Sequence, residues 1–384
     1  MAGHMYNGRE TELLIPASSL EVLKIAVIFG ADAVYIGGEA FGLRAKAKNF
    51  SIEDMKEGVK FAHERNVKVY VTANILAHNY DLEGARAYFE ELKEVGPDAL
   101  IISDPGMFTI AKEVLQDIDI HISTQANNTN YMTYNFWWNQ GAKRVVSARE
   151  LSLEEIKEIR AHIPDEMEIE TFMHGAMCIS YSGRCLLSSF LTGRDANRGA
   201  CTHPCRWRYS LVEENRPGEY LPVFENERGT FIFNSKDLCM IDYIPELVNA
   251  GIDSFKIEGR MKQPGYTAGV TGMYRKYLDI LSRDREGYRV TEEDRRYILD
   301  IFNRGGSCTG YYKQHNGPSM MAFSNEKKTG GVSTELKKCR EKITGSLMLY
   351  PESPAILQIS CRDKQVVVSD GEVQFAKEHP MSEE

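Results

Sequence analysis

The chain predicts an α/β fold, a (β/α)8 TIM-like barrel with a long cysteine-rich insertion after its seventh strand and a small C-terminal β unit. Three observations carry that reading. From Glu12 onward, short β-branched runs alternate with amphipathic segments of helical period, the pattern of successive βα units. Eight such runs can be counted, the number that closes into a parallel barrel. The first run is followed by PASS at residues 16–19 and not by a glycine-rich phosphate loop, which argues against an open, doubly wound sheet.

The strands are expected at Leu13–Pro16, Ala33–Gly37, Lys68–Ala73, Ala99–Ser103, Ile118–Ser123, Arg144–Ala148, Glu168–Met173 and Ser254–Glu258. Helices between them include Ile52–Arg65, Leu82–Val95 and Leu153–His162, with apolar residues at three- and four-residue steps and charges elsewhere. Residues 6–300 then form the barrel, with the cysteine-rich segment at 174–239. Residues 301–344 connect it to a small β unit at 345–384, read from the alternating runs LMLY, AILQIS and QVVVS. Residues 1–5 (MAGHM) read as an expression-vector remnant, and the ending at MSEE suggests a longer parent protein.

A length of 384 residues with 42% hydrophobic content can bury one large core and a small appendage. No apolar run is long enough for a membrane span and no secretory signal opens the chain, so a cytoplasmic protein without a membrane partner is expected. In that compartment eight cysteines are reduced thiols, buried, reactive or bound to metal. The net charge of −9 argues against a protein coated in positive potential, and any RNA contact must be local.

Barrel chemistry sits on loops at the carboxyl ends of the strands. Those positions hold Gly37, Gly38, Asn74, Asp104, Gln125, Arg149, Glu150, His174, Glu258 and Arg260. Any one of them is ordinarily a solvated loop residue or a helix cap. Their convergence on one rim is what marks a site.

Five cysteines fall between Cys178 and Cys239, with Cys178, Cys185, Cys201, Cys205 and Cys239 separated by six, fifteen, three and thirty-three residues. Thiolates are soft ligands for iron–sulfur clusters, zinc or copper(I). Structural zinc normally takes two tight knuckles, and only Cys201–Cys205 is close, so scattered ligands favour a cluster at the barrel mouth. Buried free cysteine fits Cys361, Cys308 and Cys339 but poorly fits a Gly-, Ser- and Arg-rich loop. A catalytic thiol is a further reading, because Cys178 follows His174 by four residues. The same segment carries Arg184, Arg194, Arg198, Arg206 and Arg208 against Asp195 alone. With Trp207 and Tyr209 this basic island could hold an anion, stack an unpaired RNA base, or compensate an anionic cluster.

The motifs HGAMCISYSGRC, NRGACTHPCRWRY, NSKDLC and FKIEGRMK, with ADAVYIGG and STQANNTN upstream, resemble the collagenase-like peptidase U family over about Glu12 to Asp279. The resemblance is closest to prephenate-dependent tRNA hydroxylases that convert the wobble uridine to 5-hydroxyuridine. The stretch FNRGGSCTGYYKQHNGPSMM and the tail resemble the ribosomal RNA cytidine hydroxylases. It implies a [4Fe–4S] cluster on Cys178, Cys185, Cys201 and Cys239, prephenate as co-substrate, and tRNA or ribosomal RNA as partner. The sequence offers no HExxH, GxSxG or Ser–His–Asp grouping for a peptidase. Within this reading, Arg260, Lys256 and Arg44 hold the carboxylates of prephenate, with Gln125 and Arg206 also facing substrate. His174 carries a proton because its ordinary pKa lies near neutrality, and Glu258 orients the cations. The competing reading from another class is a cluster-bearing subunit that works only with a paralogous partner.

Overall fold

The computed structural model describes residues 4–6, 9–43, 49–207, 210–212, 220–222, 235–304, 306–313, 320, 327–329, 344–348, 354–361 and 364–372. The chain divides into two compact units, Met1–Gly330 and Gly331–Glu384. In the first, eight parallel strands close a barrel: β1 (Arg9–Pro16), β2 (Ala33–Gly37), β3 (Lys68–Ala73), β4 (Ala99–Ile102), β5 (Asp119–Ile122), β6 (Arg144–Val146), β7 (Glu168–Ala176) and β8 (Ser254–Ile257). Closure is made by β8, which pairs in parallel with both β1 (Phe255 opposite Leu13) and β7 (Phe255 opposite Thr171). All eight strands stand where the alternation placed them.

Helices α1 (Leu20–Ile28), α2 (Ile52–His63), α3 (Asn79–Val95), α4 (Pro105–Val114), α5 (Tyr131–Asn139) and α6 (Leu153–Ala161) follow the first six strands. Their starts are set by local chemistry. Ser51 caps α2 by accepting from Asp54 N, and Asp104 caps α4 ahead of Pro105 at its first turn. Ser152 and Glu155 form a reciprocal capping box on α6. α3 ends at Gly96 in the left-handed conformation.

Side-chain alternation along the strands separates two interiors. Outward residues such as Leu13, Ile15, Val34, Ile36, Val69 and Val71 are buried against the helices in the main core. Inward residues form a smaller apolar group of Leu14, Ala33, Tyr35, Tyr70, Ala99 and Ile101. Unusually for a barrel interior, charged side chains share that space. Arg144 bridges Glu12 (2.7 Å), Glu168 (2.6 Å) and Glu170 (3.2 Å), and Lys256 bridges Glu170 at 2.6 Å. Tyr70 and Ser254 donate to Glu12. Burial alone would raise the Glu12 pKa, but the Arg144 charge and these hydrogen bonds hold it below the usual carboxylate value.

Between β7 and β8 the chain leaves the barrel. It runs through the cysteine segment with short helix α7 (Leu187–Thr192), and Ser210–Val212 pairs antiparallel with Tyr220–Pro222. It returns as a short strand, Asp237–Cys239, antiparallel to the end of β7 with Cys239 opposite His174. α8 (Ile244–Asn249) then leads into β8, and α9 (Pro264–Arg283) and α10 (Glu292–Ile301) follow. Ser307–Cys308 adds in parallel to Asp237–Leu238. In the second unit, Thr344–Met348, Pro354–Cys361 and Lys364–Glu372 form a three-stranded antiparallel meander. Among the described residues, no helix is long and apolar enough to cross a membrane.

Candidate functional site

The floor of the site is the charged interior. Lys256, expected at the rim as a carboxylate holder, lies below it: 5% exposed, locked to Glu170 and set over the Tyr35 ring at 4.3 Å. Its place opposite inward-facing Leu14 turns it into the barrel beside Glu170, and its charge is matched by that buried carboxylate. His121, also inside, has its pKa driven far down by burial and then by Arg144 and Lys256, so it is a neutral ring.

Arg260 stands where the rim reading put it. It is 4% exposed and donates to the Thr72 hydroxyl at the top of β3. Its guanidinium occupies the space a Cβ at Gly37 would fill, which is why the end of β2 carries glycine. Around the same mouth, several buried polar atoms have no hydrogen-bond partner among the described residues: Asn74 Oδ1, the Tyr88 hydroxyl, Gln125 Oε1 and Arg149 Nε. Buried polar atoms are nearly always satisfied, so a group of exceptions on one rim marks a surface shaped for a polar ligand. Asn74 donates to Ser123 at 3.3 Å, and Arg149 lies over the Phe172 ring at 4.2 Å, which fixes both side chains.

His174 closes the opposite side of the mouth. Its Nδ1 lies 3.2 Å from the Tyr274 hydroxyl, on α9, and Tyr274 is 3.8 Å from Cys239 Sγ. Burial, with a smaller contribution from Lys262, pushes its pKa down to about 3. The expectation of a histidine titrating near neutrality is therefore corrected: His174 is a neutral imidazole that orients and hydrogen-bonds. The Glu258 backbone donates to His174 O at 2.8 Å and accepts from the Tyr266 hydroxyl at 2.8 Å. At Gly175, with φ of +105°, any Cβ would strike the Glu258 carbonyl, so this crossing requires glycine.

The cysteine segment is laced to this rim. Ser182 donates its N and Oγ to Glu150 at 2.7 and 2.8 Å, and Arg184 Nε donates to Gln125 O at 2.8 Å. Within it, Asn197 donates to Cys185 O at 3.0 Å, and Thr202 N donates to Ser188 Oγ at 3.1 Å. Arg206 donates to Met177 O at 3.1 Å, tying the CTHPC turn to the residue before Cys178. Burial pushes the Cys205 thiol up to about 11, with Arg206 opposing and the nearby Cys178, Cys201 and Cys185 sulfurs adding to the rise. The Cys178, Cys185 and Cys201 sulfurs are thus close enough to act electrostatically on Cys205, whose role sequence reasoning left open. Cys239 stands apart, beside Tyr274 and His174, with Cys308 and Asp242 also near it. Arg44, Arg208 and Tyr209 lie outside the described residues.

Among the described residues, no three His, Cys, Asp or Glu side chains are packed tightly enough to hold one metal ion. A single tetrahedral zinc with bonds near 2.3 Å needs its sulfurs about 3.8 Å apart. Thiolates around a polynuclear cluster bind different irons and stand wider than those around one ion. Tyr274, Arg149 and Tyr88 are rim residues that sequence reasoning missed or left without a role. Nothing in the local pattern of α3 or α9 distinguishes these tyrosines from core aromatics.

Comparison with known proteins accords with this geometry. The model of Peptidase family U32 matches residues 18–322. The tRNA hydroxylation protein P1 of Bacillus subtilis (strain 168) is 41% identical over 355 residues, covering 92% of this chain and 81% of that protein. The tRNA hydroxylation protein P of Escherichia coli (strain K12) is 42% identical, covering 79% of this chain and 75% of that protein. The 23S rRNA 5-hydroxycytidine C2501 synthase of the same organism is 38% identical, covering 83% of this chain but 48% of that protein. A family match that takes in barrel strands β2 to β8 and the cysteine segment, with two relatives aligned across three quarters or more of their own length, makes this chain a member of Peptidase family U32.

Proposed function

We propose that this chain is a cytoplasmic RNA-modifying enzyme that hydroxylates a pyrimidine base, forming 5-hydroxyuridine at the tRNA wobble position with prephenate as co-substrate. The observation that carries the reading is the 41% identity to a tRNA hydroxylation protein across 81% of that protein's length. The ribosomal RNA enzyme aligns over less than half of its own length, which favours tRNA.

Replacing the C5–H bond of the base by C5–OH is a two-electron oxidation, in which the C5 hydrogen leaves as a proton and the electron pair passes to an acceptor outside this chain. Cys178, Cys185 and Cys201, whose sulfurs lie near one another and near Cys205, would hold a [4Fe–4S] cluster, with Cys239, which stands apart from them in this structure, as the fourth ligand that the family motif implies. When bound, such a cluster supplies one-electron redox chemistry. The protein's own side chains bind and orient. Arg260, buried against Thr72, offers a guanidinium to one carboxylate of prephenate. Gln125 and Asn74 present acceptors toward the mouth, suited to the N–H edge of a uracil ring. Neutral His174, held by Tyr274, presents a hydrogen-bonding imidazole without adding positive charge. An unpaired anticodon base reaches such a pocket at little unstacking cost.

The test is nucleoside mass analysis of tRNA incubated with anaerobically prepared protein, with and without prephenate. Formation of 5-hydroxyuridine only with prephenate is expected. Hydroxycytidine in ribosomal RNA, with unmodified tRNA, would transfer the reading to the ribosomal class.

A further inference from the structure

We propose that the outer face of the cysteine segment, with the first turn of α3, is a stacking platform for the unpaired nucleotides that flank the target base. The inference rests on the RNA reading above and adds where and how the RNA docks.

Among the described residues, twelve large hydrophobic side chains are exposed, and five of them lie between residues 181 and 207: Tyr181, Leu186, Phe190, Leu191 and Trp207. Phe190 is 84% and Leu186 75% exposed, values that a hydrophobic effect acting on the free chain does not favour. A sixth, Tyr80, joins the same surface. It is 72% exposed, stacks on His78 (5.5 Å, 10° between planes) and lies under the Arg198 guanidinium at 4.9 Å. Arg198 is itself fixed by Asp81 at 2.5 and 2.8 Å, so a residue of the cysteine segment clasps the start of α3. The segment and α3 therefore present one surface.

Charge identifies the occupant. From Cys178 to Trp207 there are four arginines and one aspartate, a local net charge of +3 in a chain of −9. Arginine beside exposed rings is found in protein interfaces as well, but an excess of guanidinium groups over carboxylates favours an anionic ligand. A ligand matching both is anionic along its backbone and planar in its side groups, which describes single-stranded nucleic acid. Duplex RNA hides its base faces and cannot use the rings. The platform lies beside the mouth, because its segment is tied to the rim loops: Ser182 donates to Glu150, Arg184 donates to Gln125 O, and Asn197 O accepts from Leu76 N at 3.1 Å. RNA stacked on it places the neighbouring nucleotide over the pocket.

The decisive experiment measures binding of the anaerobically purified full chain to a fluorescent hairpin RNA with an unpaired loop, and to the same sequence fully paired, by anisotropy. Wild type should prefer the loop. Tyr80→Ala, Phe190→Ala and Trp207→Ala, all at exposed sites, should each weaken loop binding about 5- to 150-fold, the effect of one lost base stack. Trp207→Phe should restore most of it, and the melting curve of each variant should match wild type. Unchanged loop affinity in all three alanine variants, with wild type binding RNA, overturns the platform alone. Equal affinity for loop and duplex does the same. Failure of wild type to bind either RNA overturns the RNA reading as well. Self-association of wild type that Phe190→Ala abolishes, with RNA affinity unchanged, assigns the face to a second copy and overturns the proposal.

Discussion

Buried charge at a barrel mouth sets the residue-scale chemistry. Arg260 is held by Thr72 and by the space left at Gly37, so its fork is already oriented before an anion arrives. Arg260→Ala should raise KM for prephenate by about 10- to 100-fold, the worth of a charge-assisted pair, while KM for tRNA changes little. Arg260→Lys should recover only part, because an ammonium cannot make two parallel bonds. Steady-state kinetics varied separately in each substrate checks both. For His174 the folded value of about 3 lies below the ordinary 6.5. Its ring resonances should then stay fixed from about pH 5 to 8, where an unperturbed imidazole titrates. As pH falls from 6.5 toward 3 the unfolded chain binds the proton first, so stability present above 6.5 is lost in that window. His174→Asn should flatten that part of the curve in urea titrations at stepped pH.

At the scale of elements, the interior ionic network carries the sharpest expectation. Glu170 is fully buried and receives both Arg144 and Lys256. Removing one partner of a buried pair strands the other charge, so Glu170→Ala should cost about 3–5 kcal/mol, read from the urea midpoint. Lys256→Ala should destabilise in the same way while leaving KM for prephenate unchanged in the folded fraction, which separates a barrel-floor lysine from a substrate-binding one. The strands were legible because each is a β-branched run bounded by helical periodicity, and closure register needs no further information. Lys256 was misread because strand parity, not position near a strand end, decides what faces the barrel axis. It pairs opposite Leu14, an inward residue, and thus points down the axis beside Glu170. Cys205 and Tyr274 were beyond sequence reasoning for another reason: their neighbours come from residues 27 and 100 positions away in the chain, Cys178 and His174, joined only by the folded insertion.

In the first unit taken as a whole, the barrel and the cysteine segment are stabilised by different means. The barrel buries dozens of apolar side chains between strands and helices. From Cys178 to Trp207, by contrast, Ala196 is the only hydrophobic residue among the core-buried set, and order rests on hydrogen bonds and arginine bridges. Hydrogen bonds of this kind are individually worth about 1 kcal/mol, too little to hold thirty residues against their conformational entropy without covalent or metal links. Iron removal by a chelator should therefore leave the barrel folded, with far-ultraviolet circular dichroism and the main unfolding transition nearly unchanged. The segment should loosen, so trypsin should cut apo protein rapidly at Arg184, Arg194, Arg198 or Arg206 while the iron-loaded form resists. Single Cys178→Ser, Cys185→Ser, Cys201→Ser and Cys239→Ser variants should each lose iron and show the apo digestion pattern, and Cys205→Ser read beside them decides whether that thiol binds iron too. Equal protease resistance with and without iron would instead mean that the segment is ordered by its own bonds, and that a metal, where present, is not what holds it over the mouth.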